Sequence, residues 1–508
     1  MHGSATDIET PAVVMVGFDA MDPGLARELA ERGEMPNLKR LFDEAANAVV
    51  RNPVGFVVGG VWPSFITATP PSVHGRHCYA QLRPGSYDVV DVSPLGIEGK
   101  PWWQPLMEAG GRVCNVDIPF TIPRPDLGGV QIVDWGTHDR CLDFVTVPEA
   151  EAHRILDRFG AHVTPGMCDA VIARGRWAEL RDQLLTGPAT RTDIVLDQLA
   201  RADFDLVQVV HAESHCVGHQ FWKVHDPDYV DHDPQLRAHL GDPLVDVYRA
   251  LDTELGRLLE ATAGALVFVL LSHGMGPHHD GDHLVPEILR RLDQGASEQS
   301  GTEHLSRVVQ RAKAAVRPLV PGRLLDRYYV RRRNSETVKA QAAQNRARSR
   351  FFHHVNNTMY SGIRLNLAGR EPQGRVMTHE VDDTIAMLTE QFEALVEHGT
   401  GRHVVNRVIR VSDIYEGPHL VDLPDLLVDW NRDEPIGDVS SPSVGRVLSH
   451  YVGQRSGDHR LDGRIFVTGP GADSVGLGDE IDCLEVGPMI ASRVLERLGV
   501  DDGDREPA

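Results

Sequence analysis

The chain has 508 residues, 41% hydrophobic and 24% charged, enough to bury the core of one large α/β domain or two smaller ones. Its formal net charge of −22 argues against a surface that binds nucleic acid or anionic membrane nonspecifically, while an anionic small molecule stays compatible because a cation in a cleft reverses the local field. Met1 to Pro11 carry no apolar signal core, no apolar run approaches the roughly 20 residues that span a bilayer, and six scattered cysteines lack C-x-x-C spacing, so a cytoplasmic protein with reduced thiols is expected.

The first element is the run Val13-Val14-Met15-Val16-Gly17-Phe18, which stops at Asp19. Its length and β-branched content predict a buried parallel strand. Pro23 opens a helical stretch through Glu31, and Pro36 precedes a second helix carrying Leu38, Leu41 and Phe42. Strand candidates recur at Arg112–Asp117, Val130–Asp134, Leu206–Val210, Leu266–Leu271, Leu426–Trp430 and Arg464–Thr468. Between them, Val245–Glu260 places Val247, Leu251, Leu255, Leu258 and Leu259 on a 3.6 period, the mark of an amphipathic helix. The expectation is an α/β protein with a large, mostly parallel, doubly wound sheet flanked by helices, with polar residues gathered at the strand ends where such sheets bind ligands.

One segment differs in composition. Between Thr302 and Arg350 stand thirteen Lys/Arg, from Arg307 through Arg331-Arg332-Arg333 to Arg350, opposed by Glu303, Asp326 and Glu336. It reads as a basic helical insertion over 286–354, between core segments 10–285 and 355–498, with flexible ends at 1–9 and 499–508. A solvated excursion, a subunit contact in a homo-oligomer and a cationic lid over an anionic substrate all fit that composition.

Three segments carry chemistry. In His211-Ala212-Glu213-Ser214-His215-Cys216-Val217-Gly218-His219, His215 and His219 are four apart, so one helical turn sets both imidazoles on one face, a metal-chelating spacing. A chain with 25 histidines also makes such pairs by chance. The second segment follows the run Leu266–Leu271: Ser272-His273-Gly274-Met275-Gly276, then His278-His279-Asp280-Gly281-Asp282-His283. A histidine at the end of a buried strand is placed to enter a cleft; a polar surface loop is the plain alternative. The third, Gly457-Asp458-His459-Arg460, reads by itself as a turn.

Taken together the blocks show a resemblance. Gly17-Phe18-Asp19-Ala20-Met21-Asp22 with Met35-Pro36-Asn37-Leu38, then Trp62-Pro63-Ser64-Phe65 and Pro71-Ser72-Val73-His74-Gly75, are similar to the opening and nucleophile helix of the phosphodiesterase/nucleotide pyrophosphatase branch of the alkaline phosphatase superfamily. His219, Ser272-His273-Gly274-Met275 and Gly457-Asp458-His459 with Gly469-Pro470-Gly471 match its later blocks in order. The resemblance implies an alkaline-phosphatase-like fold, two neighbouring metal sites and a Thr or Ser nucleophile. One site would comprise His215, His219 and His459, and the other would include Asp19 and His273.

Three positions depart from that pattern. His215 and Ser272 stand where the family has Asp, and Val61 stands in the nucleophile slot. A neutral tri-histidine set leaves a fourth position for water and lowers its pKa to about 7. The expected activity is therefore hydrolysis of a phosphate, phosphodiester, phosphonate or sulfate ester by metal-activated water, on an anionic small molecule. The cofactor is a divalent ion, Zn²⁺ first, with Fe²⁺ and Mn²⁺ as alternatives. Ser64, near the missing nucleophile, and Glu213 are the residues expected to take catalytic roles. Two other readings keep the fold: a tri-histidine site turned to lyase, isomerase or oxidative chemistry, and a noncatalytic binding relative.

Overall fold

Val13–Phe18 is apolar throughout because it runs through the middle of the protein. All six residues are buried, and the strand pairs in parallel with Leu206–His211 on one side and Leu266–Leu271 on the other. These relationships come from a computed structural model, which describes residues 11–126, 128–138, 140, 142–164, 175–294, 336–356, 359–449, 451 and 455–500.

The main sheet has nine strands in the order Glu480–Asp482, Ala46–Arg51, Gly463–Thr468, Leu266–Leu271, Val13–Phe18, Leu206–His211, Val113–Val116, Val130–Val133 and Val145–Val147. The five from Leu266–Leu271 to Val130–Val133 are parallel. Gly463–Thr468 runs antiparallel between Leu266–Leu271 and Ala46–Arg51, and Val145–Val147 is an antiparallel edge. Alternate residues of the first strand supply two separate cores, as the period of two requires. Val14, Val16 and Phe18 pack with the helices Pro23–Glu31, Trp177–Leu199, Glu213–His225 and Pro243–Ala261, whereas Val13 and Met15 pack with Trp62, Phe65 and the helix Cys483–Leu498. Burial on both faces explains the unbroken apolar run.

The predicted helix after Pro36 spans Pro36–Glu44 and has no side-chain cap of its own. The Asp252 carboxylate, from the helix Pro243–Ala261, accepts the main-chain N–H groups of Asn37 (3.1 Å) and Leu38 (2.7 Å). It places a negative charge against the orphan donors of that N-terminus.

A smaller antiparallel sheet, ordered Phe351–His354, Tyr360–Leu365, Leu426–Trp430 and Val405–Arg410, builds its own core with Leu284, Val285, Ile288 and Phe392. Leu426–Trp430, expected among the parallel strands, belongs here. A short apolar run buried on both sides does not reveal its partners by periodicity. Of the basic segment, Glu336–Arg348 is a helix, and the stretch from Arg307 to Arg333 lies outside the described residues. Cys78, Cys114, Cys216 and Cys483 are buried and form no disulfide among the described residues. Among the described residues, no helix is long and apolar enough to cross a membrane.

Candidate metal centre

Phe18 pairs with both His211 and Leu271, so three central strands stop level. The residues that follow them, Asp19, Glu213 and Ser272-His273, emerge at one edge of the sheet. A two-stranded ribbon, Gly274–Pro277 paired antiparallel with Gly457–Arg460, closes over that edge and opposes His459 to Met275. The segment read as a turn from its glycine is thus a strand.

The helix Glu213–His225 carries His215 and His219 against this ribbon. The approach is close enough that a side chain at Gly218 would place Cβ 2.6 Å from Met275 Cγ, and one at Gly457 would meet the Gly218 carbonyl at 2.2 Å. Glycine at both positions lets backbone lie on backbone. One result is that the carbonyl of Gly457 accepts from His219 Nδ1 at 2.7 Å. A carbonyl only accepts, so the proton sits on Nδ1 and Nε2 presents its lone pair, the usual way a ligating imidazole is oriented.

His219 Nε2 lies 3.1 Å from His459 Nε2, and His459 Nδ1 lies 2.9 Å from His273 Nε2. His273 Nδ1 is in turn 3.0 Å from Ser272 Oγ, which accepts the Ala20 N–H at 3.2 Å. His215 completes the group, its ring centre 4.5 Å from that of His219 and 5.0 Å from that of His459. One ligand atom each of His215, His219 and His459 lies within 4.8 Å of the others, and all three residues are buried. Burial pushes the imidazoles of His215, His219 and His273 well below the usual histidine range, helped at His215 and His219 by the charge of Arg455. They are neutral, with lone pairs to offer. The Nδ1 of His215 is buried with no hydrogen-bond partner among the described residues. A lone pair without a partner, an oriented second imidazole and an all-nitrogen donor set fit a divalent transition ion.

Asp19 is buried, and its Oδ1 accepts the indole N–H of Trp62 at 2.7 Å. Its main-chain carbonyl accepts from Ser214 Oγ at 2.6 Å, which ties the first strand to the start of the histidine-bearing helix. Glu213 faces the other way. Arg191 donates to both of its oxygens (2.8 and 2.7 Å) and to Asp117 (2.9 Å), all three side chains being at most 2% exposed. Burial opposes the charge on Glu213, but the Arg191 guanidinium holds its carboxyl well below the usual range. Ser64 is fully buried on the helix Val61–Thr67, 2.9 Å from His74 Nε2. The N–H of Arg76 donates to His74 Nδ1, so Nε2 carries the proton and donates to Ser64. Burial lowers the His74 pKa to about 3.

His138 did not stand out in the sequence. It follows the strand Val130–Val133, its ring centre 4.0 Å from that of His215 and its Nδ1 3.2 Å from Cys216 Sγ. His138, His215 and Cys216 form a second potential ligand group sharing His215 with the first. Its place just past a parallel strand of the main sheet was the available signal.

The family model for type I phosphodiesterase / nucleotide pyrophosphatase matches residues 13–433. No curated protein matches the chain. Two solved structures of phosphonoacetate hydrolase from Sinorhizobium meliloti 1021 are similar in fold. The complex with phosphonoformate has a TM-score of 0.55 at 13% identity, and that with phosphonoacetate 0.51 at 14%, each covering 96% of both chains. Its strand order, the blocks around its sheet-edge histidines and a match over most of its length show that the chain belongs to the type I phosphodiesterase/nucleotide pyrophosphatase family of phosphoric ester hydrolases.

Proposed function

We propose that the protein hydrolyses a small anionic phosphate ester, phosphodiester or phosphonate with water as the nucleophile, at a divalent cation held by His215, His219 and His459. The observation that carries this reading is the convergence of three buried imidazoles within 4.8 Å in a chain of this family. When bound, the cation supplies Lewis-acid polarisation of the ester and an activated water near neutral pH. The chain does the positioning. The Gly457 carbonyl fixes the tautomer of His219, and His273 braces His459 from its far nitrogen. Arg455, close enough to depress both His215 and His219, adds positive charge for an anion. The neighbour's phosphonate ligands suit such a pocket.

Val61, buried at the head of its helix, has no nucleophilic atom, so a covalent route has no starting point there. Ser64 receives a hydrogen bond from His74 and does not give one to a base, which leaves its hydroxyl unactivated. Glu213 serves as an anchor for Arg191. Asp19 and His273 flank the centre as the remnant of the family's other site. A second reading, non-hydrolytic chemistry at the same ion, draws on the all-nitrogen donor set, which suits Fe²⁺ as well as Zn²⁺.

The test is turnover of a chromogenic phosphodiester by chain loaded with Zn²⁺, Mn²⁺ or Fe²⁺. His459→Ala should lower kcat/KM by about 100-fold or more, in line with loss of a metal-supplied rate term. Equal turnover by the variant, or none with any metal on a panel of esters and phosphonates, defeats the hydrolytic reading.

A further inference from the structure

Imidazole and carboxylate groups converge a second time on the ribbon. Asp458 directly precedes His459 on the strand Gly457–Arg460, and successive side chains of a strand leave on opposite faces. Asp458 Oδ1 accepts the main-chain N–H of His459 at 2.8 Å. His278 and Asp280 follow the partner strand Gly274–Pro277. One ligand atom each from His278, Asp280 and Asp458 lies within 4.8 Å of the others, and all three residues are buried.

The geometry between His278 and Asp280 is unlike that of an ordinary ion pair. Their side chains are 4% and 1% exposed, and Nε2 approaches Oδ2 to 2.6 Å. The contact is an ion pair, and neither atom makes a hydrogen bond of ordinary geometry among the described residues. Buried polar atoms are rarely left so, and a bound ion is one of the few arrangements that satisfies them. The surroundings hold the group in place. Tyr451 stacks on the His278 ring at 3.9 Å. Arg460 is tied to the carbonyls of His459 and Pro277 and balances part of the acidic charge.

We propose that His278, Asp280 and Asp458 form a divalent-cation site of their own, back to back with the tri-histidine centre across the ribbon. None of the three belongs to the ligand set that the family pattern assigns, and the proposal does not rest on the hydrolytic reading. One imidazole with two carboxylates suits Mn²⁺, Fe²⁺ or Zn²⁺, and three protein ligands leave coordination positions open. An ion there fastens the loop of His278 and Asp280 to the strand that carries His459, so its occupancy governs how firmly His459 is placed.

The probe is Mn²⁺ added to the full chain after chelator treatment, with bound ion counted by equilibrium dialysis and followed by electron paramagnetic resonance. His219→Ala disables the tri-histidine centre and should still bind one Mn²⁺. Adding Asp280→Asn in that background should weaken the binding by at least about ten-fold, with circular dichroism unchanged. If the asparagine variant folds poorly, His278→Gln in the same background reads the same loss. A His219→Ala chain that binds no Mn²⁺ overturns the proposal, as does a folded Asp280→Asn or His278→Gln variant that binds as tightly as its parent.

Discussion

His219 and His459 face each other nitrogen to nitrogen across 3.1 Å, and the carbonyl that fixes the tautomer of His219 belongs to Gly457, two residues before His459 on the same strand. One strand therefore sets both imidazoles. His219→Ala should lower bound metal by one ion per chain, measured by elemental analysis, while the cation-free protein keeps its circular dichroism. Its sheet and cores are built by other residues. Unchanged metal content in a folded variant would remove His219 from the centre.

Ser64→Ala should retain most hydrolytic activity, because the hydroxyl receives a hydrogen bond from His74 and faces no base. The cost appears in stability, about 1–2 kcal/mol for a buried bond lost with its partner left in place. Rapid quenching with a labelled ester, then mass analysis of the peptide spanning Val61 to Thr69, checks the chemistry. A phosphorylated Ser64 or Thr67 would show that the nucleophile had moved along the helix.

Arg191 and Glu213 separate structural from catalytic roles. Arg191→Met strands the carboxylates of Asp117 and Glu213 in the core and should cost about 3–5 kcal/mol. Glu213→Gln keeps an oxygen for Arg191 and leaves its bond to Asp117, so about 1–3 kcal/mol is expected. Urea midpoints measure both. Loss of turnover in Glu213→Gln with an unmoved midpoint would place this residue in the reaction.

Acid should destabilise the fold. Burial lowers the pKa of each of His74, His77 and His211 to about 3 from 6.5. The folded chain keeps them neutral while the unfolded chain takes up protons below 6.5. Their contribution to stability is fully present above that pH and is lost as pH falls from 6.5 towards 3. Each group costs about 1 kcal/mol over the first unit below 6.5 and about 1.4 per unit further down, so the three remove about 3 kcal/mol by roughly pH 5.5. Urea midpoints with a chelator present test this, and a flat profile would mean that the imidazoles are not held neutral.

Residues differ in how much of their role shows in sequence. Val13–Phe18 and Leu266–Leu271 were legible because strands buried on both faces are apolar without interruption. His215 and His219 were legible as a pair because a helix repeats on one face after four residues. His459 and His273 emerged only through the family's ordered blocks, since a single histidine after Gly-Asp or Ser has no periodicity to betray it. The ribbon strand Gly457–Arg460 was hidden by its glycine, which lowers strand propensity while permitting the close backbone approach needed there. Arg191 was one of 51 Lys/Arg. Its burial is decided by Asp117 and Glu213, 74 and 22 residues away, and no local pattern records that. His138 has the same difficulty, since its neighbours come from the helix Glu213–His225.

The histidines of the proposed centre are far apart along the chain: 240 residues separate His219 from His459, and 186 separate His459 from the His273 that braces it. Closing loops of that length has an entropic cost met only by the packed sheet and helices, and contacts of such range form slowly. A cation at the proposed centre would therefore not nucleate folding but arrive late, once the C-terminal ribbon has docked. During synthesis, a nascent chain released before Gly457 holds two of the three imidazoles and no centre. Loading of the proposed centre would thus report that translation and docking have both been completed.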